Sequence, residues 1–161
     1  MVLKLSDKIY AETILFPLNA ISRDDVLHEL LDHCIKLKYL TSSIKLFEYL
    51  KNDANAFNSA SGRGIAYHYH TSIEINDTVL ILGVSKDGID YHAMDGLPCH
   101  FILLILEPMN EPNKHRTFIN LFQDLIKKSN IKSSLLEVNS NIEIADIIFD
   151  WENSNEQDEL I

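Results

Sequence analysis

The sequence predicts an α/β fold: a three-layer sandwich in which a mixed, mostly parallel sheet of about five strands lies between helices. Three observations predict it. Residues 78–85 and 100–107 are nearly continuous apolar runs of strand length without alternation, the pattern of strands covered on both faces. Amphipathic segments of helical spacing stand before and after that central block. The chain has 161 residues, 46% of them hydrophobic, and a domain of this size buries roughly 70% of its unfolded surface without needing disulfides or a structural metal.

The elements follow in order. A short strand is expected at 13–16. Ser22-Arg23-Asp24-Asp25 is a capping box, and Val26, Leu27, Leu30, Leu31, Cys34 and Ile35 continue it as an amphipathic helix of about four turns. A second helix opens at Thr41 or Ser42, carries Ile44, Phe47 and Leu50, and gives way to a polar loop at 52–59. Residues 64–70 read as a strand beside the two apolar runs, with turns at 86–88 and 95–96. A third helix spans about 113–128, with Phe118, Ile119, Phe122, Leu125 and Ile126 on one stripe and lysines at its C-terminal end. A short helix follows near 131–138. The last helix starts from a second capping box, Ser140-Asn141-Ile142-Glu143, and buries Ile144, Ile147, Ile148 and Trp151. One domain is expected over 1–150, with a frayed acidic tail at 151–161.

Charge narrows the function classes. The net charge is −10, but five acidic residues without any Lys or Arg lie in the last twelve positions, leaving 14 basic and 19 acidic side chains in residues 1–149. The longest basic run is the pair Lys127-Lys128, so direct nucleic-acid binding through an electrostatic face is disfavoured. No apolar run approaches the ~20 residues of a membrane span, and charge interrupts the N-terminus before a secretion signal develops. Cys34 and Cys99 have no CxxC partner and read as buried free thiols. The expected setting is the cytoplasm.

The unusual local feature is Tyr67-His68-Tyr69-His70, preceded by Ser61-Gly62-Arg63-Gly64. In an extended strand His68 and His70 project to one face and Tyr67 and Tyr69 to the other. Two imidazoles on one face can accept a phosphoryl group or bind a metal, with His92, His100 or His115 as a third ligand. An exposed strand end carrying aromatics is the plainer alternative, and no ligand spacing supports a metal. His115 falls in the first turn of the third helix, where free amides favour an anion. No Walker loop, dinucleotide fingerprint, GxSxG elbow or Cys–His dyad is present.

Gly62-Arg63-Gly64-Ile65-Ala66, Asp95-Gly96-Leu97-Pro98, the apolar strand ending in Glu107-Pro108, and His115 occur in an order that resembles the enzyme IIA domain of the fructose/mannitol class of the bacterial phosphotransferase system. The nitrogen-regulatory branch is the nearest in pattern, and the resemblance covers about residues 3–150. It implies a mixed sheet flanked by helices and transfer of a phosphoryl group from the carrier protein HPr, or its nitrogen-branch counterpart, to a histidine. That acceptor then passes the group to a IIB domain or, in the nitrogen branch, signals to other proteins. No cofactor is implied, and a monomer or weak homodimer is expected.

The sequence departs from the pattern at the site itself. The family reads Gly-Ile-Ala, an apolar residue, Pro, then the acceptor His; here His68 stands for the proline and Tyr69 for the acceptor, after Gly64. The arginine expected near the end of the second helix is Asn52, followed by Asp53 in place of the glutamate. Only His115 of the three is retained. The readings are a regulator that keeps the surface and acts through protein contacts, a carrier whose acceptor has moved to His68 or His70, and an unrelated ligand- or metal-binding module.

Overall fold

The computed structural model describes residues 2–52 and 60–159. Asp53 and the rest of the polar stretch expected as a loop, residues 53–59, lie outside the described residues. Five strands, β1 (Ile14–Leu15), β2 (Ala60–Gly62), β3 (Ile65–Ser72), β4 (Val79–Ile89) and β5 (Cys99–Pro108), form one sheet in the order β1-β4-β5-β3-β2. The sheet is mixed and flanked by helices as expected, but evenly so rather than mostly parallel. β1–β4 and β3–β5 are parallel; β4–β5 and β2–β3 are antiparallel.

Side-chain alternation on the central strands divides the core into two layers. Ala66, Ile81, Ile102, Leu104 and Leu106 face α1 (Arg23–Lys36) and α2 (Ile44–Lys51). Ile65, Leu80, Leu82, Phe101, Leu103 and Ile105 face α3 (His115–Lys127), α4 (Ser129–Glu137) and α5 (Asn141–Glu159). Phe118 and Phe122 of α3 and Phe101 of β5 are fully buried in the second layer, each contributing about 1.5–3 kcal/mol of burial. Continuous apolar runs in β4 and β5 are the consequence of being covered twice.

The Ser22 hydroxyl accepts from the Asp25 amide at 3.2 Å and starts α1; Ser140 does the same for Glu143 at the start of α5. Other boundaries move. α2 begins at Ile44 rather than at Thr41 or Ser42, because Thr41 is held by Glu74 through both its amide and its hydroxyl, and Ile44 is 74% exposed. The turn expected at 86–88 is instead an irregularity inside β4, whose pairing with β5 shifts register between Val84 and Ile89. Gly88 there has φ +83°, and a Cβ would lie 2.6 Å from Pro98 Cβ, so the glycine marks a bulge and a close approach rather than a reversal. The three-residue β2 went unforeseen because its Ala-Ser-Gly composition carries no strand pattern.

α5 also continues past residue 150 to Glu159. Glu152, expected in a frayed tail, is buried and accepts the amides of Leu5 and Ser6 at 2.5 and 3.0 Å, tying the last helix to the N-terminal turn. Both cysteines are buried free thiols; burial pushes Cys34 up to about 12 and Cys99 to about 11. Among the described residues no helix is long and apolar enough to cross a membrane.

Candidate functional site

The site is built around β3. Gly64, with φ +81°, closes the tight connection from β2, and its carbonyl accepts the amides of His100 and Phe101 at 2.8 and 3.0 Å, fixing β3 against β5. Asp95 braces the same corner by accepting from Arg63 N at 2.9 Å and Leu97 N at 3.0 Å; these backbone donors hold its carboxyl below the usual carboxylate range. From there the parallel register sets Tyr69 beside Ile105 and Thr71 beside Glu107.

Tyr67 and Tyr69 fall on the face covered by α3. His115, the first residue of α3, stacks on Tyr69 with ring centroids 4.2 Å apart and planes 26° from parallel. Its Nδ1–H donates to Glu107 Oε1 at 2.6 Å. Glu107 is 0% exposed and also accepts from His115 N at 3.1 Å, Lys114 N at 3.0 Å and the Thr78 hydroxyl at 3.3 Å. Partial burial, then the Glu107 charge, raise the Tyr69 phenol above its ordinary value. The Lys114 ammonium turns away to Asp77 at 3.3 Å, which also pairs with Lys8 at 2.8 Å.

His68 and His70 project to the opposite face. His68 is 3% exposed and its Nε2 meets Tyr91 Oη at 2.9 Å; burial first, and the nearby Arg23 charge second, lower it to about 3. A neutral, sealed imidazole is a satisfied core residue. His70 is half-buried, donates from Nδ1 to the Thr71 carbonyl at 2.5 Å, and meets Tyr49 of α2 edge to face at 4.5 Å. It lines a cleft of about 610 Å³ with Leu40, Ile44, Tyr49 and Ile73.

The sequence-predicted residues therefore divide. Tyr69 and His115 meet; His68 and His70 share the other face but have different environments; Asn52 caps the end of α2, its Nδ2 donating to Glu48 O at 3.0 Å within its own helix. His92 is a surface residue 3.5 Å from Asp90, and His100 Nδ1 donates to Ser85 O at 2.9 Å, so neither converges with the strand histidines. Among the described residues no group of three His, Cys, Asp or Glu is placed to hold a metal. Glu107 was missed as a site residue. Its signal was an acidic residue at the end of an apolar strand, directly before Pro108 and eight positions before His115.

Residues 8–151 match the family described as "Phosphoenolpyruvate-dependent sugar phosphotransferase system, EIIA 2". The chain is 25% identical over 146 residues to the PTS system fructose-specific EIIABC component of Bacillus subtilis (strain 168), covering 91% of this chain and 23% of that relative's length. Its fold is similar to the nitrogen regulatory protein IIA-Ntr from Neisseria meningitidis, with TM-score 0.77 and 19% identity over 89% of this chain and 98% of that one. IIA mannitol from Escherichia coli is also similar, at TM-score 0.71 and 14% identity over 88% and 99% of the two chains.

Proposed function

Because this chain belongs to the EIIA type 2 family of the phosphoenolpyruvate-dependent sugar phosphotransferase system, its β3 can be read as the acceptor strand, and we propose that it is a regulator of the nitrogen-branch kind, acting through protein contacts after losing the acceptor histidine. The observation that carries this reading is the stacking of Tyr69, at the acceptor-equivalent position, on His115, with both strand histidines across the sheet. A phosphoryl transfer needs an imidazole nitrogen aimed at phosphorus and donors around the phosphoryl oxygens. A phenol with an ordinary pKa near ~10 is a weak nucleophile at neutral pH, and here its pKa is raised further. Asn52, engaged with its own helix, supplies no guanidinium fork. The retained surface would meet an HPr-type carrier or a regulated protein, with no cofactor.

The test is intact mass after incubation with phosphoenolpyruvate and the upstream carriers. The mass is expected to stay unchanged. A gain of one phosphoryl group that survives Tyr69→Phe and disappears in His68→Ala or His70→Ala would establish a relocated acceptor instead. One observation favours His70 within that second reading: its Nδ1–H is spent on the Thr71 carbonyl, which leaves the lone pair of the neutral ring on Nε2 beside the cleft.

A further inference from the structure

Glu107 ends an otherwise apolar strand as a fully buried carboxylate, and the groups it engages are those an anion seeks. Two are backbone amides, Lys114 N and His115 N, at the start of α3, where unpaired N–H groups and the helix dipole favour negative charge. Among the others are the His115 Nδ1–H and the Thr78 hydroxyl. Amides at a helix start, an imidazole and a hydroxyl are also what would hold the oxygens of a phosphoryl group carried at position 69. Resting on the reading above, we propose that Glu107 is the resident occupant of these anion-holding groups, and that it bars a phosphoryl group from the site independently of Tyr69.

Two physical effects follow. The donors are already spent, so phosphoryl oxygens arriving beside His115 find no partner without displacing the carboxylate. The incoming negative charge also meets a fixed one in a region shielded from solvent, where like charges repel strongly. The ammonium of Lys114 offers no relief, since it is turned to Asp77. Replacing the tyrosine by histidine thus restores a nucleophile to a site whose electrostatics still oppose transfer.

The test compares the wild-type chain, Tyr69→His, and Tyr69→His combined with Glu107→Gln, using potassium phosphoramidate as donor so that carrier docking plays no part. In the reaction the Nε2 lone pair attacks phosphorus, the donor's P–N bond breaks, and ammonia leaves with that electron pair. The double variant is expected to be phosphorylated at position 69 about a hundredfold faster than Tyr69→His alone, the scale of one lost oxyanion donor. Equal rates in the two variants would overturn the role of Glu107. Phosphorylation of the wild type at His70 by phosphoenolpyruvate and the upstream carriers would instead overturn the proposed function, so the two failures are separable. A measurement independent of variant folding is titration of the wild type with inorganic phosphate, followed by the amide resonances of Lys114 and His115. No saturable shift is expected, and a saturable one would overturn the proposal.

Discussion

On one face of β3, Tyr69 lies flat on His115 while Glu107 gathers four donors beneath them. On the other, His68 is sealed against Tyr91 and His70 stands half-buried beside Tyr49. The strand places four titratable rings within four residues, yet what surrounds each face makes them different chemical objects. A helix start lies on the first face and supplies anion-seeking amides. Layers of α1 and α2 residues cover the second and strip His68 of solvent. On the proposed reading, alternation bears on function: an acceptor at position 68 or 70 in place of 69 lies across the sheet, away from His115.

Breaking the first face should have the largest effect. Glu107→Ala leaves two amides, a hydroxyl and the part-exposed His115 ring without their acceptor, and should cost about 3 kcal/mol, since a buried donor left unsatisfied costs about 1–3 kcal/mol. Urea unfolding checks this; a loss below 1 kcal/mol, on the scale of a surface pair, would show that water replaces the carboxylate and that the cluster is open.

The second face should respond to pH. His68 is lowered to about 3 in the folded chain, against about 6.5 when unfolded. Above pH 6.5 both states are neutral and the group is silent. As pH falls below that value the unfolded state takes up a proton that the folded state refuses, so stability declines by about 1.4 kcal/mol per pH unit until the folded pKa is reached. Unfolding midpoints at pH 7 and 5 should separate in the wild type and converge in His68→Gln by that increment. An unchanged separation would mean that His68 is hydrated.

Much of this was legible. The capping boxes at Ser22 and Ser140 and the apolar spacing behind them mark α1 and α5, because local hydrogen bonding and helical period suffice there. The runs in β4 and β5 mark buried strands. Gly88 misled because positive φ serves a bulge as well as a reversal, and only the close approach of Pro98 distinguishes them. The strand parity of His68 and His70 was readable, but not that one is core and the other lines a cleft, since that depends on α2 packing. Glu107 was hidden for the same reason. Its pairing opposite Thr71, and its reach to the start of α3, arise from tertiary register that no local pattern encodes.

The smallest expected effect sharpens the role of the phenol. Tyr69→Phe keeps the stacked ring and removes a part-buried hydroxyl that bonds to Glu107, so stability should fall by no more than about 1 kcal/mol, the scale of one hydrogen bond, and carrier binding should persist. Loss of binding by calorimetry would make the Tyr69 hydroxyl a contact in its own right.

The most direct test is histidine-ring nitrogen NMR of the wild type mixed with phosphorylated HPr-type carrier, which reads all seven imidazoles together. The His115 ring should shift as the carrier docks over it, while no imidazole acquires the signature of a phosphorylated nitrogen. That signature on His70 or His68 would contradict the loss of the acceptor and make this chain an active phosphocarrier on the other face of its own strand.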